Sequence, residues 1–135
     1  MRPLAAALIA AAALSGVATG CGATQRAPDA AAVAERFHSA LGEQDGEAAC
    51  SDMSEATASK LEQQAGVPCE EAVLELELPQ GGTAAKTSVY VTTASVLLAE
   101  GGTTFLDEGP DGWKVSASGC EPTAPDLPYD CLLEG

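Results

Sequence analysis

Residues 87–99, Thr-Ser-Val-Tyr-Val-Thr-Thr-Ala-Ser-Val-Leu-Leu-Ala, are the longest run of β-forming side chains in the chain. Val, Thr and Tyr favour a pleated, half-buried surface, and period two puts Tyr90, Thr92, Ala94, Val96 and Leu98 on one face of an unbroken strand. Leu97 breaks the polar alternation opposite, which predicts a bulge or a second face partly covered by another element. Beyond Gly101-Gly102 the spacing predicts two more strands, Thr103 to Asp107 and Trp113 to Ser118, joined by Glu108-Gly109-Pro110-Asp111-Gly112 as a hairpin. An antiparallel meander therefore occupies the C-terminal half.

The N-terminal half reads as helices. Asp29 is a candidate N-cap for a helix to about Leu41, with Ala30, Val33, Ala34, Phe37 and Leu41 at helical spacing and Gly42 closing it. A short helix is predicted over 46–53. A third runs from a Ser54 cap to about Gln64 and is ended by Gly66-Val67-Pro68. Cys69-Glu70-Glu71-Ala72 leads into Val73-Leu74-Glu75-Leu76-Glu77-Leu78, whose alternation of Leu with Glu predicts a strand with one wet face, stopped by Pro79 and Gly81-Gly82. Leu132 to Gly135 is either a short edge strand or a frayed end. Helices followed by a meander define the α+β class, with N-terminal helices packed on a curved antiparallel sheet.

The start of the chain speaks to location. One Arg, an apolar run from Leu4 to Leu14 and Val17-Ala18-Thr19-Gly20 before Cys21 follow the order of an export signal. The run is too short for a permanent span, which takes roughly 20 residues. Gly20 and Thr19 before Cys21 resemble the lipobox of bacterial lipoproteins, in which a diacylglycerol is attached to the Cys thiol and the mature chain begins there; Ala18 stands where that family more often has Leu. The competing reading is ordinary secretion with Cys21 free or paired. The division expected is a signal peptide over 1–20, a tether over 21–29 carrying lipidated Cys21, and a single domain over 30–135. Two acyl chains anchor almost permanently, whereas one is marginal. The expected location is the extracytoplasmic face of a cell membrane.

The chain has five Cys, and acylation of Cys21 leaves Cys50, Cys69, Cys120 and Cys131 as an even set. Four Cys pair in three ways. Spacing favours Cys50 with Cys69 and Cys120 with Cys131, and an oxidising exterior makes disulfides the default. A zinc site is the alternative, but there is no CxxC pair and no neighbouring His. With only two Phe, two Tyr and one Trp, the core is built from small aliphatics and needs such staples.

Without residues 1–20, which hold Arg2 and no acid, five basic residues face 20 acidic ones, a net charge of −15. Such a charge repels phosphate backbones and anionic headgroups, so nucleic-acid binding is excluded and the lipid must be the anchor. Two acidic groups suggest calcium, Asp107 with Glu108 and Asp111, and Glu70 with Glu71. Neither follows the Asp-x-Asp-x-Asp-Gly pattern, and both read as solvated turns.

Ala48-Ala49-Cys50, Val67-Pro68-Cys69-Glu70, Asp111-Gly112-Trp113-Lys114-Val115, Gly119-Cys120 and Pro128-Tyr129-Asp130-Cys131 resemble the small uncharacterised lipoproteins of high-GC Gram-positive bacteria that carry a nuclear transport factor 2 like (cystatin-like, SnoaL-type) cone domain. The resemblance covers about residues 30–135. It implies a pocket between sheet and helices, for which Phe37, His38, Tyr90, Val96 and Trp113 are the candidate lining. It carries no assigned chemistry. His38 is the only His and borders the apolar stripe of the first helix, where packing and hydrogen bonding are the plainer role. No second His, nucleophile motif or phosphate loop accompanies it. The expectation is a non-enzymatic binding or accessory module without cofactor or metal, meeting an envelope protein. The alternatives are a carrier of a small apolar ligand and a SnoaL-type isomerase or dehydratase.

Overall fold

The computed structural model describes residues 25–135. Cys21, the segment 1–20 and the start of the 21–29 tether lie outside the described residues. Four helices come first, α1 (Arg26–Gly42), α2 (Gly46–Ser51), α3 (Glu55–Ala65) and α4 (Cys69–Glu75). Five strands follow, β1 (Ala84–Tyr90), β2 (Thr93–Leu98), β3 (Thr103–Gly109), β4 (Gly112–Pro122) and β5 (Tyr129–Glu134), in one antiparallel sheet of order β1-β2-β3-β4-β5. The α+β class, with helices preceding a meander, is as the sequence predicts. Leu132 to Glu134 belong to the edge strand β5, which already begins at Tyr129.

α1 starts earlier than expected. Asp29 sits in its first turn rather than at the cap, with its N–H bonded to the Gln25 carbonyl at 2.9 Å, so residues 26–29 are helical and do not belong to a tether. α3 follows the expected grammar: the Ser54 hydroxyl accepts from the Thr57 N–H, and Gly66 ends the helix with φ of 72°.

Two local readings are corrected. Val73–Leu78 is not a strand, because Cys69, Ala72 and Val73 bury one side of α4, a helical spacing, and only the tail from Leu76 is extended. Glu70 and Glu71 occupy the first turn of α4, where carboxylates meet the positive end of the helix dipole. Nor is 87–99 one strand. It folds at Val91-Thr92 into the β1–β2 hairpin, with Tyr90 opposite Thr93 and Thr87 opposite Val96. That fold moves Tyr90 off the face of Val96 and Ala94.

The core lies between α1 and one face of the sheet. Phe37, Val96, Leu106 and Val115 are fully buried in it, with Ala72 and Val73 of α4 beside them. Small side chains allow close helix approaches: the position of a Cβ on Gly46, at the start of α2, falls 1.9 Å from the Glu70 carbonyl oxygen of α4. The disulfide Cys50–Cys69 joins the same two helices, and Cys120–Cys131 joins paired positions of β4 and β5. Both pairs match the spacing argument.

β4 has one bulge at Ser116 and another around Ser118-Gly119, with Gly119 at φ of 65°. They turn Ser118 inward beside Val115 and Cys120, out of the strict alternation. Past the end of β5, the outer edge of β4 is paired by the link between α2 and α3: the Val115 N–H donates to the Asp52 carbonyl at 2.8 Å, and the Ser54 N–H donates to the Val115 carbonyl at 2.9 Å.

Candidate functional site

His38 lies three-quarters of the way along α1, one residue after the core side chain Phe37, and is fully buried. Its Nδ1 is 2.6 Å from the Pro79 carbonyl oxygen, which has no proton to give, so Nδ1 carries the hydrogen and donates. Nε2 then accepts, from the Thr104 hydroxyl at 2.8 Å, with the Ser118 hydroxyl at 3.3 Å and the two hydroxyls 2.9 Å apart. The backbone repeats the link, because the Gly81 N–H donates to the His38 carbonyl at 2.7 Å. Burial lowers the His38 pKa, and the bond to Pro79 raises it in part. The ring is therefore neutral at physiological pH.

A His with a Thr and a Ser on one nitrogen has the parts of a hydroxyl nucleophile and its base. Here Thr104, Ser118 and His38 are all sealed from solvent, and no carboxylate orients the ring. Every buried polar side-chain atom among the described residues has a partner. The cluster joins α1, β3, β4 and the Pro79 loop, and its bonds are spent on that joint.

The proposed lining of an inner pocket does not come together around a space. Phe37 and Val96 are fully buried in packed core, and Trp113 is 6 % exposed. Trp113 lines a cleft between α1 and the β3–β4 turn, and the Arg26 guanidinium stands 5.5 Å from the centre of its ring. Tyr90 is on the opposite face and 66 % exposed. The β1–β2 turn separates it from the other four candidates.

Tyr90 belongs to a different concavity, on the face of the sheet away from α1. With volume of about 400 Å³, it is lined by Tyr90, Ser88, Leu97 and Thr103, with Lys86 and Glu121 as charged members and Tyr129 at the far side. Tyr129 reaches back across β4 to meet Phe105 edge-on, ring centroids 5.1 Å apart and planes at 78°. Leu97 is 42 % and Tyr129 47 % exposed. Sequence reasoning did not assign Leu97, Phe105 and Tyr129 to any site. Leu97, the residue that broke the polar alternation of β2, was the signal for this face.

Among the described residues no three His, Cys, Asp or Glu side chains are grouped to hold a metal ion, and no helix is long and apolar enough to cross a membrane. No protein-family model, curated protein or solved structure matches the chain.

Proposed function

We propose that this protein is a lipid-anchored, extracytoplasmic module of the cell envelope that binds a partner through the open face of its sheet and performs no chemistry of its own. The observation that carries this reading is the contrast between the two faces. The helix-covered face is filled by Phe37, Val96 and Leu106, while the other leaves Leu97 and Tyr129 partly exposed around a concavity with one cation and one carboxylate. Exposed apolar groups ringed by polar ones are the usual anatomy of a recognition surface. Two disulfides favour an oxidising compartment. The lipobox-like Thr19-Gly20-Cys21 supplies the anchor, and the order of helices then meander is compatible with the cone family whose motifs the chain resembles. The carrier and isomerase readings have less support, since His38 and the buried candidates face packed side chains.

The test is to express the full chain with its own leader in a Gram-positive host, with a photo-crosslinking residue at Leu97 or, as a control, at Glu43 on the loop after α1. Intact mass is measured on the membrane fraction. The expected outcome is a diacylated Cys21 N-terminus and a discrete protein adduct from position 97 only. A soluble, unmodified chain, or equal crosslinking from both positions, would overturn the reading.

A further inference from the structure

The two most exposed large apolar side chains among the described residues are neighbours, Tyr90 at 66 % and Val91 at 82 %. They form the tip of the β1–β2 hairpin, where Val91 holds φ of 51°. Hairpin turns fill such positions with Gly, Asn or Asp, because a β-branched side chain crowds the left-handed backbone. Neither turn chemistry nor burial explains a valine here.

The tip is firmly held. The Thr93 hydroxyl donates to the Tyr90 carbonyl at 3.1 Å, and the Glu108 N–H donates to the Thr92 carbonyl at 2.7 Å. The Arg26 guanidinium donates to the Val91 carbonyl and pairs with Glu108. Arg26 is the first residue of α1, so the hairpin tip and the start of the helix are at one end of the domain. Cys21 precedes Arg26 by five residues, a chain length that reaches at most roughly 18 Å. If Cys21 carries lipid, Val91 cannot be far from the bilayer surface. The turn at the other end of β2, Glu100 to Gly102, is removed by the length of that strand.

The geometry points to the Tyr90–Val91 tip as a second membrane contact, seating Val91 at the boundary of headgroups and acyl chains with the Tyr90 hydroxyl among the headgroups. This inference rests on the lipid-anchored reading. Two side chains do not hold a domain on a bilayer alone, but a tethered tip meets the surface at high effective concentration. The contact would orient the domain on the membrane, with the open sheet face, which Tyr90 also lines, fixed relative to the bilayer. Asp107 of β3 and Asp111 of the β3–β4 turn have no cation partner among the ion pairs of the described residues, so the lipid best suited is zwitterionic rather than anionic.

The experiment uses the full diacylated protein in phosphatidylcholine vesicles with a nitroxide on the lipid, and an environment-sensitive fluorophore placed by an unnatural amino acid at Thr92 or at Glu100. Intact mass is taken on the same sample. Quenching is expected to be about threefold stronger at residue 92 than at residue 100, to fall to the residue-100 level in Val91→Asp, and to weaken when phosphatidylglycerol replaces half the lipid. Equal quenching at both positions, or no response to Val91→Asp, with diacylated Cys21 present would overturn the tip contact and leave the anchor standing. A mass without diacylglycerol would overturn both.

Discussion

His38 shows how a single side chain can look chemical in sequence and be architectural in the fold. Its two nitrogens are taken by the Pro79 carbonyl and the Thr104 hydroxyl, and its removal leaves those groups buried without their partner. His38→Leu is therefore expected to cost about 2–3 kcal/mol, measurable by urea unfolding. The same residue sets a pH dependence. Burial lowers the folded pKa below the ordinary 6.5, so the unfolded chain binds the proton more readily. Its stabilising contribution is complete above about pH 6.5 and is lost as pH falls from there through the folded pKa. Unfolding free energy measured between about pH 7 and 5 should decline, and His38→Gln should flatten that decline. Val91 is the opposite case, a residue the fold does not need. With φ of 51° it is strained, and Val91→Gly in a chain expressed without residues 1–21 should raise stability by about 1 kcal/mol in the same assay.

At the level of elements, the bulges of β4 decide what the sheet presents inward. Between Thr103 opposite Cys120 and Phe105 opposite Ala117, β4 spends one residue more than β3, and this offset lets Ser118 point to His38 while Cys120 still meets Cys131. Gly119 makes the turn possible, since its φ is 65° and an added Cβ would lie 2.8 Å from Leu78 and 3.1 Å from Leu132. Gly119→Ala should destabilise by about 2–3 kcal/mol and perturb the Ser118 and His38 side-chain resonances together in NMR spectra. α4 teaches a related lesson. Val73-Leu74-Glu75-Leu76-Glu77-Leu78 has period two in its polar residues, yet Cys69, Ala72 and Val73 share a side only as a helix, and the disulfide to Cys50 holds that side against α2.

For the whole molecule, a core rich in small side chains sits in a chain of net charge −14, so the covalent staples carry weight. Cys50–Cys69 closes 19 residues and Cys120–Cys131 closes 11. Replacing the first pair by Ala should lower stability by about 3 kcal/mol, and the second by somewhat less because its loop is shorter, both readable as lowered urea midpoints. Local grammar was enough to reveal several elements: the Ser54 cap and Gly66 stop of α3, the Gly- and Pro-marked β3–β4 hairpin, and two disulfides set by close spacing. Such signals act over a few residues, so they survive whatever the rest of the chain does. The turn at Val91-Thr92 carries no Gly, Asn or Asp, and it was therefore invisible, although it moves Tyr90 to the open face. The partners of His38 lie 41 to 80 residues away and were equally out of reach. Sequence alone determined that helices precede an antiparallel meander and favoured the cysteine pairing that forms, because those follow from short-range propensity and loop closure. Only tertiary structure decided which face is filled and which is open, because side-chain direction in a strand reverses with every residue of register.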